Sequence, residues 1–243
     1  MTHINQSYLS RANIQDAHLR YKWDDWDVQA VCEPEDAALY DRLGRLSHRA
    51  LMAFTTGCGE WVVYRFEPLS DDDAPRKHME AAWAGMVDPW YSRYWEPPDR
   101  LWLGPVRGPL QLAIIFTLEA KVDAEACGDV ALSAVRANEL TEHVLTDSRP
   151  FSAWREHVLQ RLEPLYPYRD DDPSGDVVPR EALDPGFDFQ PELTEKLVQE
   201  YLRSLNPQSN RFLRTASEML ENGFGGTPYS FDIQEDRRRR ADW

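Results

Sequence analysis

Cysteine is scarce in this chain. Its 243 residues include three, Cys32, Cys58 and Cys127, an odd number set far apart. They form no Cys-x-x-Cys pair and no zinc spacing, so the sequence indicates neither a disulfide framework nor a structural zinc site. Each is expected to sit as a small reduced hydrophobe, which suits a reducing compartment. Basic residues are also few: 27 Lys and Arg face 42 Asp and Glu, for a formal net charge of −15. That balance argues against a nucleic-acid binder, which needs a basic face to neutralise phosphates, and against attraction to an anionic membrane. No apolar run reaches the roughly 18 residues that a membrane-spanning helix needs. The stretch MTHINQSYLSRANIQDAHLR holds no apolar segment of signal-peptide length, so a cytoplasmic location is the default expectation. Gly-x-Ser-x-Gly is missing, and so is a repeat of fixed period. Gly223-x-Gly225-Gly226-Thr227 lacks the lysine of a phosphate loop and reads as a turn.

What the chain has is a core's worth of apolar residues, 42% of the total, with 12% aromatic and nine tryptophans. That composition argues against wholesale disorder. The longest periodic apolar segment is 39–66. Leu39, Leu43, Leu46, Ala50, Phe54, Trp61 and Tyr64 recur at helical steps, and beyond Ala50 the polar face nearly vanishes. A helix apolar most of the way round is buried on several sides. Pro34 among Glu33, Glu35 and Asp36 marks its expected start. Gly57 and Gly59 are its weak point: either they admit a close neighbour or they break the rod and free 61–66 as a strand. A helix running through is the expectation.

Further helices are expected at about 75–87, 110–122, 129–145, 153–162 (capped by Ser152), 191–205 and 208–222. Residues 101–109, with two glycines and two prolines, read as an irregular connection. A segment carrying Trp23 and Trp26 is expected to tuck against the body as an arm. The fold class is therefore all-α: helical hairpins packed around a central buried helix, with an irregular, acidic, proline-rich loop near 164–190. A helical-repeat-like stack remains an open variant. One domain over 1–243 is the simplest division; a main body of 1–163 with a C-terminal hairpin and tail of 191–243 is the alternative.

Chemistry-bearing motifs are sparse. Asp170-x-Asp172-x-Ser174-Gly175-x5-Glu181 resembles the calcium loop of the EF-hand family, with oxygen ligands at loop positions 1, 3, 5 and 12 and glycine at 6. The resemblance implies calcium held by Asp170, Asp172, Ser174 and Glu181. The flanks depart from the family, because Pro164 and Pro167 interrupt the entering helix and Pro185-Gly186 the exiting one. A solvated acidic turn is the plainer reading of the same residues, as it is of Asp71-Asp72-Asp73. Glu139 and His143, four apart, can meet on one helix face. Arg237 to Arg240 is a basic run that either trails as a tail or folds onto the chain's own acids.

The functional expectation is an acidic protein-binding module that sequesters or scaffolds a basic protein partner, a bacterial toxin-immunity protein being one concrete form. Trp23, Trp26, Asp170, Asp171 and Asp172 are the expected contact residues. The alternatives are an enzyme whose site assembles from His48, Glu60, Glu139 and His143, and a calcium-responsive helical protein. No obligatory cofactor is expected.

Overall fold

The computed structural model describes residues 7–32, 37–126 and 128–241. Ten helices follow one another among them: α1 Ser7–Ala12, α2 Ala37–Leu43, α3 His48–Phe66, α4 Ala74–Val87, α5 Gly104–Ala126, α6 Val130–Val144, α7 Arg149–Leu165, α8 Thr194–Ser204, α9 Ala216–Glu221 and α10 Ile233–Ala241. No strand occurs among the described residues, and the protein is all-α. The central element is α3, which lies against α4, α5 and α6 and touches α7. Sixteen of its nineteen residues, all between Ala50 and Phe66 and including Arg65, are solvent-shielded.

The glycines do not break this rod. A methyl on Gly57 would meet Leu183 Cδ2 at 2.7 Å and Trp154 at 3.0 Å, and one on Gly59 would meet Met79 Sδ at 2.7 Å. Both are close-approach sites, and the helix runs through them to Phe66. Thr55 and Thr56 satisfy their buried hydroxyls by donating to the carbonyls of Leu51 and Met52, each at 2.8 Å.

The rod is nonetheless shorter than its periodicity predicts. The segment 39–66 is two helices, α2 and α3, with a break over 44–47. Leu46 keeps its buried place, but its backbone pairs with Pro167 instead of continuing a helix. Ser47 N donates to Tyr166 O at 2.9 Å, and Ser47 Oγ caps α3 by accepting from Ala50 N. The next two amides, of His48 and Arg49, donate to the carbonyls of Pro173 and Ser174. The proline-rich loop thus supplies the partners that the first turn of the central helix lacks. The expected start at 33–36 lies outside the described residues, as does Cys127.

Three further corrections have local causes. Residues 101–109 are not all irregular, since α5 begins at Gly104 and carries Pro109 inside it. Pro109 cannot donate to Pro105 O, four residues back; the Tyr21 hydroxyl donates to that carbonyl instead. The Asp25 carboxylate accepts from Gly104 N at 2.9 Å, and the Trp23 ring lies against the bare α-carbon of Gly108. The arm is therefore the cap of α5. Second, Ser152 lies inside α7, whose start is set by Asp147 accepting from Arg149 N at 3.0 Å; Pro164 is accommodated within its last turn. Third, the helix expected at 208–222 shrinks to α9. The side chains of Asn206 and Asn210 take the amides of Gln208 and Phe212, competing with helix formation, and a Thr215–Glu218 capping box starts the helix late.

The buried cluster extends from Tyr8 to Phe231 and includes Val177, Val178, Ala182 and Leu183 from the proline-rich loop. Trp154 Nε1 donates to Leu183 O at 2.9 Å, and Arg161 donates to the carbonyls of Ala182, Asp184 and Phe187. No described helix is long and apolar enough to cross a membrane.

Candidate functional site

The acidic loop is occupied by the chain's own arginines. Arg240 pairs with Asp172, with Asp176 at 2.7 Å and with Asp236 at 3.2 Å. Arg237 pairs with Asp176 at 2.5 Å, Arg239 lies 3.5 Å from Asp88, and Arg49 at the start of α3 holds Asp236 at 2.7 Å. The basic run is therefore one side of an ion-pair network that fastens α10 to the loop. Burial alone would raise the Asp172 carboxyl, but the Arg240 guanidinium holds it below the usual carboxylate range. Arg237 does the same for Asp176 against the opposing pull of burial. Of the residues matching the calcium loop, Asp170 is exposed, Asp172 is engaged by Arg240 and Arg169, and Glu181 is partly buried with its pKa raised by that burial. Among the described residues no group of three or more His, Cys, Asp or Glu side chains is arranged to hold a metal.

His48, Glu60 and the α6 pair Glu139 and His143 have separate surroundings, and Glu139 lies near Cys32. His48 stacks obliquely on Tyr168, and burial lowers its pKa. His143 Nε2 lies 2.7 Å from Lys22 O, with the Tyr21 ring beside it. Glu60 is 1% exposed in the middle of α3. Its Oε1 lies 2.6 Å from Arg180 Nη2 and accepts from Trp83 Nε1 at 2.9 Å, so this carboxylate joins α3, α4 and the loop. The Tyr8 hydroxyl nearby is raised well above its ordinary value, by burial first and by Glu60 second. Cys32 and Cys58 are buried free thiols, and burial pushes Cys32 up to about 12, away from reactivity.

The two arm tryptophans differ. Trp23 is held, its Nε1 donating to Asp25 at 2.8 Å, whereas Trp26 is 92% exposed. Because Asp25 is bonded to Gly104, Trp26 is anchored beside the segment that carries Leu101 and Leu103, exposed at 56% and 50%. Asp24, Asp27 and Asp99 are the exposed acids of the same two segments. Exposed Trp26, Leu101 and Leu103 thus stand on two segments tied together at Asp25 and Gly104, which also carry the exposed cations Lys22 and Arg100. Against protein-family models, curated proteins and solved structures, the chain has no match.

A second feature was not legible as a motif. Between α4, α5 and the segment 89–94 lies a half-open cleft of about 280 Å³. Lys121 of α5 reaches into it and donates to Ser92 Oγ at 2.9 Å. Burial draws the Lys121 ammonium below its ordinary value, Glu125 opposes this, and Arg214 adds to it. The Arg214 guanidinium sits over the Trp90 ring, 5.3 Å from its centroid. Ser92 fits because Gly85 of α4 has no side chain: a methyl there would fall 2.3 Å from Ser92 Oγ. His78, 4% exposed, also lines the cleft. Burial, reinforced by Lys121, pushes its imidazole down to about 3, and its Nδ1 has no hydrogen-bond partner among the described residues.

Proposed function

We propose that the chain is a binding protein for a basic protein partner, which it meets through Trp26, Leu101 and Leu103. The observation that carries this reading is an almost fully exposed tryptophan on an arm that three contacts hold rigid: Tyr21 to Pro105, Trp23 on Gly108, and Asp25 to Gly104. Exposing a large aromatic ring on a fixed backbone has no folding benefit, and such rings are the common anchors of protein interfaces. Asp24, Asp27 and Asp99 lie on the same two segments, alongside Lys22 and Arg100, and the net charge of −15 speeds the encounter with a cationic surface. Asp170 and Asp171 belong to the loop at the other end of α3, where His48 and Arg49 donate to Pro173 and Ser174, so they stand apart from this arm, and Asp172 has its counter-ions within the chain. A toxin-neutralising protein is one concrete form of such a binder.

The test is affinity capture from the native host with wild type and Trp26→Ala side by side. A stoichiometric basic protein that is retained by wild type, lost with Trp26→Ala, and associates more slowly as salt rises is the expected result. Equal recovery by both chains, or association indifferent to salt, refutes the reading.

A further inference from the structure

The cleft beside Ser92 is lined by more cations than acids. Its lining holds Arg93, Lys121 and Arg214 against one acid, Glu125, in a chain of net charge −15. Arg93 is already neutralised, donating twice to Glu218 at 2.5 Å. Arg214 has no carboxylate partner among the described residues; what steadies it is the face of Trp90. Lys121 spends one N–H on Ser92 and lies 3.5 Å from Pro89 O, while Glu125 stands off at 3.9 Å. Since the ammonium donates to Ser92 Oγ, the serine hydroxyl keeps its own proton to donate elsewhere.

We propose that this cleft binds a small organic anion, its carboxylate or phosphate head taken between Lys121, Arg214 and the Ser92 hydroxyl, its apolar body lying on Met52, Ala81 and Leu118. Three donors, two of them cationic, then converge on one oxyanion, in a recess where surrounding low-dielectric walls strengthen each charge-assisted hydrogen bond. The guanidinium offers the planar fork that oxyanions fit, and the ammonium adds a point charge. His78 supplies the second, independent sign of a ligand. It is a buried, neutral imidazole that lines the same recess, and its Nδ1 has no partner among the described residues, a costly state for a buried polar atom. At about 280 Å³ the recess lies near the lower end of ligand pockets, which sets the ligand at one ring or a short chain.

Benzoate is the probe, with inorganic phosphate and acetate as head groups lacking a body and benzylamine as the cationic counterpart. Calorimetry and thermal shift on the full chain read binding. Benzoate is expected to bind saturably and to raise the melting temperature, more tightly than phosphate or acetate, with benzylamine inert. Arg214→Gln and Lys121→Met are each expected to weaken benzoate about tenfold or more. Ala82→Phe, which fills the recess and leaves every charge in place, is expected to abolish binding while the far-ultraviolet spectrum stays that of wild type. No saturable benzoate binding, benzylamine binding as well as benzoate, or benzoate affinity unchanged in Arg214→Gln and Ala82→Phe overturns the proposal.

Discussion

Removing Arg180 tests how the centre of the molecule is held together. The guanidinium lies 2.6 Å from Glu60, which is 1% exposed and also accepts from the Trp83 indole. At an effective dielectric near 20, two unit charges at that distance attract by roughly 6 kcal/mol, most of which offsets the cost of taking both out of water. The net worth of the pair is therefore small, but stranding one member is expensive. Arg180→Met leaves a buried carboxylate facing a thioether, and the expected loss is about 3–5 kcal/mol. For a chain of this size that is roughly 6–20 °C in melting temperature. Glu60→Gln strands the cation and is expected to cost a similar amount. The double variant carries neither charge, and the glutamine Oε1 still accepts from Trp83. It should lose less than either single variant. Urea denaturation of the four chains, analysed as a double-mutant cycle, gives the coupling directly. A loss below about 1 kcal/mol for Arg180→Met, or a double variant weaker than both singles, refutes the claim that the charges are mutually dependent.

Burial holds the folded pKa of His78 at about 3, below the unfolded value near 6.5. The unfolded chain therefore binds the extra proton first, so stability falls as pH drops from about 6.5 towards 3, and His78→Leu should flatten that part of the curve. Asp172 and Asp176 have lowered folded pKa values, so their contribution is present above about 4 and is lost as pH falls through the folded values, a window that begins lower than that of His78. Arg240→Gln is expected to cost about 1–3 kcal/mol and to speed hydrogen exchange over 169–177, with the amide protection of α6 unchanged. Trp26→Ala should move stability by less than about 0.5 kcal/mol in urea, because the ring touches little, whereas Trp23→Ala, which empties the seat on Gly108, should cost about 2 kcal/mol or more.

Where a segment's fate depended on its own side-chain spacing, the sequence was a good guide. The apolar rows of α4 and α6 and the run LQLAIIFTLEAKV inside α5 all folded as helices, and Gly57 and Gly59 stayed within one. Where distant residues decided, the sequence was mute. Nothing near Leu46 announces that its backbone will pair with Pro167, and nothing near Pro109 says that Tyr21 will serve the carbonyl that proline leaves bare. The expected sites divide in the same way. Arg237 to Arg240 was visible as a basic run, but its partners Asp172 and Asp176 lie more than sixty positions away. The cleft was hidden further, because Ser92 and Lys121 belong to no motif and meet only where Gly85 lets the two segments touch. One signal was available: Lys121 interrupts the end of an otherwise apolar run, a position where a lysine has to find something to do.

The paired glycines of α3 bear on how this chain can change over evolutionary time. Position 57 is a spacer against Trp154 and Leu183, and position 59 is a spacer against Met79. The atoms nearest the two positions belong to different residues. A lineage that gains a methyl at 57 has to move or trim 183 and 154, and one that gains it at 59 has to move or trim 79. In divergent descendants these positions should covary as two separate sets.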